Sequence, residues 1–344
     1  MNSRERVLEA LDHKIPDRIP AHVICIDDCE PYLEYLGCKD IEALYEYFGM
    51  DIRWINTTYK RADTGKNHFG TSGGLTDYSE STFLRPLATA ETISDVSAYS
   101  WPDVTDFDYD TLLHGSERYH KDYAVMVCGW NPIFCQVLDL FGMEHTLYQL
   151  CMNPLVIETA VSHIEDFYLK YYKVVFETIK GKADIFNIGD DFATQRGMMI
   201  SPDMWRKFFK PTYKRIFEMA KNYGLYVWFY SCGAISEVLP DLIDIGMDVW
   251  ETVQAHLPGN EPEWIKKEYG KDISFFGAIN TQLTLPYGTP EQVRDEVRER
   301  IKFLGRDGGY ICGPDHHINP GIPIENVCAM YDEIRNFRYK GCTL

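Results

Sequence analysis

From residue 123 onward, short apolar runs alternate with amphipathic stretches. The runs YAVMVCG (123–129), ADIFNIGDD (183–191), LYVWFYSCG (225–233), MDVWETV (247–253), DISFFGAI (272–279) and GGYICG (308–313) each predict a strand. The text between them is helical: Pro132 to Phe141, Pro154 to about Ile179, Ser201-Pro202 to about Asn222, then 234–246, 261–270, 289–305 and 323–337. Thr289 caps the sixth of these, with Pro290 at its first position. Earlier, SRERVLEALDH puts Val7, Leu8 and Leu11 on one helical face behind Ser3 as N-cap, and Pro16 and Pro20 end that element. EPYLEYLG and DIEALYEYFG predict two short helices closed by glycine, and MDIRWINTTY predicts a strand. Residues 60–85 are polar and Gly-rich and predict no clear element; TDYSESTFLRPLA alternates only weakly. Strands alternating with helices at this spacing imply a parallel sheet. At least six such units, without a linker or a low-complexity tract, predict an α/β fold. The expected form is a single (β/α)8 TIM barrel over residues 1–344 with an N-terminal helical extension.

Composition narrows the function. The 344 residues are 45% hydrophobic and 25% charged, enough for a substantial core. A net charge of −18 argues against nucleic acid or an anionic membrane surface as partner. The charged start lacks the apolar core of a signal peptide, and no uncharged apolar run could cross a bilayer. Ten cysteines without a CxxC pair then suggest a cytoplasmic protein with reduced thiols.

In such barrels the loops after the strands gather at one face, where active sites lie. Five successive predicted strands end in polar or metal-capable side chains: Asp190 and Asp191, Cys232, Glu251, Asn280 and Gln282, and His316 and His317. Cysteine, histidine and a carboxylate can hold zinc with an open position, so Cys232, His316 and Glu251 form a candidate metal set. Cys232 as a small buried hydrophobe is the plainer alternative. Tyr230 shares the cysteine's side of its strand, either as proton donor to a substrate or as packing. Asp190 and Asp191 either divide acid and base roles, with Asp191 the favoured site residue, or cap the next loop. Asn280 and Gln282 are candidate neutral donors to substrate. His317 is either a rim or structural residue or a substrate contact, whereas Cys312 is expected to pack inertly. Trp130 and Trp250 are candidate apolar walls, though large barrel aromatics are more often core.

The stretches NSRERVLEALDHKIPDRIP, GDDFATQRGMMISPDMWRKFFKP, YSCGAISEVLPDLIDIGMDVWETVQ, GAINTQLTLPYGTPEQVRDEVRERI and YICGPDHHINPGIP together resemble the uroporphyrinogen decarboxylase superfamily. That resemblance implies a (β/α)8 barrel and either porphyrinogen decarboxylation or cobalamin-dependent methyl transfer. True decarboxylases hold their substrate's carboxylates with an arginine-rich N-terminal segment. Here no arginine lies between Arg18 and Arg53, and Asp27, Asp28 and Glu30 are acidic. His316 matches the decarboxylases' active-site histidine. The methyltransferases resemble the rest better. Their thiol-activating members hold zinc with a His-x-Cys pair and a later cysteine. Cys232 matches, while Tyr230 and His316 stand at the other two positions. The resemblance thus implies a methyltransferase moving methyl between a methoxylated or methylated small molecule and the cobalamin of a partner corrinoid protein, assisted by zinc. The helix over 323–337 is expected to be the last of the barrel, so the corrinoid is expected on a separate partner protein. The rivals are a decarboxylase of a smaller carboxylate, using His316, Asp191 and Tyr230 without metal, and a barrel that only binds.

Overall fold

The computed structural model describes residues 1–61, 65–72 and 84–338. Most of the weakly alternating stretch at 76–88 lies outside them.

Seven strands form one parallel sheet, ordered as they occur in the chain: β1 (Ile52–Ile55), β2 (Ala124–Gly129), β3 (Ile185–Gly189), β4 (Tyr226–Tyr230), β5 (Val249–Val253), β6 (Ser274–Ile279) and β7 (Tyr310–Pro314). The eighth stave of the barrel is residues 20–26. Ala21 bridges Cys312 of β7 in parallel, and the Asp51 N–H donates to the Ala21 carbonyl at 2.9 Å beside β1. This stave was not foreseen: Pro20 interrupts the text, and the run is too short and irregular to read as a strand. Among the described residues no helix is long and apolar enough to cross a membrane.

Other departures have local causes. The stretch expected as one helix from 201 to 222 is two, Pro202–Phe208 and Lys210–Asn222. Pro211 has no N–H for the ladder and its ring clashes one turn back, which forces the break. The helix expected over 234–246 is confined to Leu239–Asp244, where Pro240 sits in the first turn. The helix before β3 is preceded by two others, Phe134–Phe141 and Met143–Met152, separated by Gly142 at φ 87°.

Inward positions recur every second strand residue, and they are layered. The lower layers are apolar: Ile52, Met126, Trp228, Phe276 and Ile311 pack with Val7 and Leu11 of the N-terminal helix (Ser3–Leu11), which plugs that end. The fully buried Asp51 ties this end together. It accepts from Arg6 (2.7 Å), from Arg18 (2.8 and 2.9 Å) and from the Ala21 N–H (2.9 Å). Toward the C-terminal ends the inward residues turn polar, with Asn187 on β3 in register with Trp228, and Tyr230 on β4 in register with Glu251 on β5.

Candidate active site

These polar residues line a cavity of about 510 Å³ at the C-terminal ends of the strands. His22, Ile24 and Cys25 of the first stave, Trp54, Met126, Trp130, Asp191, His316 and His317 complete it. Among the described residues that line it there is no lysine or arginine.

Tyr230 is the centre of the constellation. Its hydroxyl lies 3.1 Å from His316 Nε2, and its ring meets Trp130 edge-on with centroids 5.3 Å apart. Neighbouring Gly189 makes room for it: a Cβ there would come 2.7 Å from the Tyr230 Cβ. Burial, with Asp191, Cys232 and Glu251 nearby, pushes the phenol well above its ordinary range. Burial lowers His316 to about 4, so at neutral pH it is an uncharged imidazole. The pair is thus a protonated phenol against a neutral ring.

Glu251 is 4% exposed, and its Oε2 accepts from Asn187 Nδ2 (2.8 Å) and the Trp228 indole N–H (2.7 Å). Burial raises its carboxyl to about 7 despite these donors. The paired aspartates separate in role. Asp190 is fully buried and accepts the backbone N–H groups of Ile133, Phe134 and Cys135 at 3.0, 2.6 and 3.0 Å, and the Tyr213 hydroxyl. It holds the start of the helix Phe134–Phe141 and does not face the cavity. Asp191 does face it, accepts the Cys232 N–H at 3.0 Å, and is raised to about 6 by burial.

Of the residues anticipated from sequence, Tyr230, Asp191, Glu251, His316, His317 and Trp130 meet in this cavity. The anticipated metal set does not come together. Among the described residues the donor atoms of Cys25, Asp27 and His317 lie within 4.8 Å of one another, and those of Cys232, His316 and Glu251 do not. Each of the latter is engaged elsewhere: Glu251 with Asn187 and Trp228, His316 with Tyr230, and the Cys232 thiol beside Asp191 and Tyr230. Zinc does not fit that set with the side chains so placed. Asn280 and Gln282 also fall outside the cavity lining. Asn280 Oδ1 accepts the N–H groups of Gln282 and Leu283 (2.8 and 2.7 Å), and Gln282 meets Gln195 at 3.1 Å on the surface. Trp250 and Cys312 are wholly buried packing residues.

Sequence reasoning passed over His22, Asn187, Met126, Trp54, Cys25 and Asp27. A polar side chain inside an otherwise apolar strand was the available signal for Asn187. His22 sits on the unrecognised stave, packed on Trp228 and Phe276 with ring centroids 5.9 and 5.2 Å away.

The uroporphyrinogen decarboxylase (URO-D) family profile matches residues 135–337. A methylated-thiol–coenzyme M methyltransferase of Methanosarcina mazei is 26% identical over 71% of this chain, which spans 64% of that protein's length. A uroporphyrinogen decarboxylase of Christiangramia forsetii is 25% identical over 54% of this chain and 50% of its own. Among solved structures, a methyltransferase from Methanosarcina mazei superposes with a TM-score of 0.72 at 18% identity, covering 98% of this chain and 99% of its own, a likeness of fold.

Proposed function

Because the chain belongs to the uroporphyrinogen decarboxylase family, we propose that it is a cytoplasmic methyltransferase of that family. In this reading it moves a methyl group from a methoxylated or methylated small molecule to the corrinoid of a partner protein. The observation that carries the reading is the charge of the cavity. Its described lining offers no cation, two carboxyl groups and the aromatic faces of Trp54, Trp130 and Tyr230. A substrate bearing many carboxylates would meet repulsion there and find no guanidinium clamp. A neutral ether or a methylated cation meets apolar walls and ring faces. The methyltransferase relative agrees with this choice.

A methyl ether resists attack because an alkoxide or phenolate leaves poorly. When bound, the partner's reduced corrinoid would supply the electron pair for the methyl carbon. The carbon–oxygen bonding pair then passes to the ether oxygen, and Tyr230 donates its hydroxyl proton to that oxygen. His316, neutral and within hydrogen-bond reach, orients the phenol, and solvent restores the phenol's proton after the alcohol leaves. Trp130 fixes the ring edge-on, and the low polarity of the walls strengthens the hydrogen bond that assists departure.

The test is methylation of reduced cobalamin, followed by its absorption spectrum, with a panel of methoxylated and methylated compounds. Turnover with at least one neutral or cationic donor, abolished in His316→Ala, is the expected result. Carbon dioxide released from a carboxylated substrate, with no spectral change for any donor, would move the protein to the decarboxylases.

A further inference from the structure

We infer that Cys25, Asp27 and His317 form a zinc-type metal site at the wall of the cavity, on residues other than those the family resemblance suggested. Its binding claim stands on geometry alone; its role as a Lewis acid rests on the methyl-transfer reading above.

Three observations support the site. The first is donor placement. One thiol, one carboxylate and one imidazole bring ligand atoms within 4.8 Å of one another, with His317 Nδ1 already 2.9 Å from Asp27 Oδ1. Sulfur, nitrogen and oxygen in this combination suit zinc, or cobalt as its spectroscopic substitute, with three protein ligands and one open position.

The second is how the ligands are held. Cys25 lies at the end of the first stave and Asp27 just beyond it, and their ligand atoms come together there. The stave is laced to the stretch carrying His317 by a parallel bridge between Ile26 and Ile318. The Ile318 N–H donates to the Cys25 carbonyl at 2.9 Å, and the Asp27 N–H to the Ile318 carbonyl at 3.1 Å. The backbones under the donors are therefore fixed by the closure of the barrel itself, which preorganises the set.

The third is the surroundings. Asp28 and Glu30 flank the pair, and no lysine or arginine occurs between Arg18 and Lys39, so the local field favours a cation. Cys25 and His317 both line the cavity, so the open position faces the substrate space. An ion there would polarise an ether oxygen or a thioether on the side of the cavity formed by the first stave. The His316 and His317 rings lie 5.0 Å apart, which puts the phenol–imidazole pair next to it.

The experiment titrates the apo protein with cobalt(II) and follows the thiolate-to-cobalt charge-transfer absorption, alongside zinc content of the protein as purified. About one ion per chain is expected, with the absorption lost in Cys25→Ser and affinity weakened about 10-fold or more in Asp27→Asn and His317→Gln. Cys232→Ser should keep the absorption. Circular dichroism of each variant separates lost binding from lost fold. Absorption that survives in Cys25→Ser and disappears in Cys232→Ser overturns the assignment, as does a wild-type protein that binds no ion. If the ion binds through Cys25 and no methyl donor is used, the metal site stands and the methyl-transfer reading fails.

Discussion

At the scale of single residues, the phenol–imidazole contact is the most exposed part of the mechanism. Tyr230→Phe removes only the hydroxyl, so the edge-on packing against Trp130 is retained. Turnover should fall about 10²-fold or more with the fold intact, the usual loss for a general acid; unchanged turnover would reduce Tyr230 to a wall. Glu251 adds a pH signature. Its folded carboxyl is raised to about 7 by burial, so it is neutral below that pH and ionised above it. The ionised form adds negative charge near Tyr230 and makes the phenol a weaker acid. The value of kcat/KM should therefore decline several-fold as pH rises through about 7. Glu251→Gln, fixed in the neutral state, should flatten that limb, and a limb that persists in the variant assigns it to another group. Sequence alone could bring Tyr230, Asp191, Glu251 and His316 to one face because each lies within or just past the later part of a strand. It favoured Asp191 over Asp190 but could not give the reason: adjacent residues at a strand end point apart, and Asp190 is taken up by the helix Phe134–Phe141, which follows the preceding strand.

At the scale of elements, the alternation of apolar runs and amphipathic helices was enough to read seven staves, because each buried strand of a parallel sheet is a nearly continuous apolar word. The eighth is spelled differently. Residues 20–26 begin at a proline and mix His22 and Cys25 with aliphatics, since this stave forms much of the cavity wall. A functional surface made its strand pattern illegible, and with it the residues it carries. The same reason hid Asn187, a polar side chain facing the barrel axis. Conversely, Asn280 and Gln282 sit at a strand end yet spend their groups on the following turn and on Gln195. The stave depends on Asp51, whose buried carboxylate joins Arg6, Arg18 and the Ala21 N–H. Asp51→Ala leaves Arg18 without a carboxylate and Arg6 with Asp17 alone, and it frees the stave. It should cost about 3–5 kcal/mol in denaturant unfolding, the range for breaking a buried ion pair. A loss below about 1 kcal/mol, typical of surface pairs, would show that the stave is held without it.

At the scale of the whole molecule, two sets of buried groups oppose each other in acid. Burial lowers His22 to about 3 and His68 to about 4, so the folded chain keeps them neutral. The unfolded chain protonates them below about 6.5, and stability is lost as pH falls from there toward the folded values. Burial raises Asp139 and Asp315 to about 6 and Glu251 to about 7. For these the sign reverses: their contribution is fully present below the ordinary carboxylate range near 4 and is lost as pH rises through about 6 to 7. Between about pH 5 and 7 the two sets partly cancel, so a flat stability profile would conceal both. Substitution separates them. His22→Phe keeps a ring against Trp228 and Phe276 and removes one proton site. Its melting temperature relative to the parent should rise from pH 7.5 to pH 5, each pH unit below about 6.5 being worth up to about 1.4 kcal/mol. Asp315→Asn keeps an acceptor for the Thr281 N–H and hydroxyl, which Asp315 Oδ1 meets at 3.0 and 2.6 Å, and removes the buried charge. Relative to the parent it should gain from pH 5 to pH 7.5. Thermal melts of the two variants at both pH values decide the matter: differences that do not change with pH would mean that neither buried group titrates out of step with the unfolded chain.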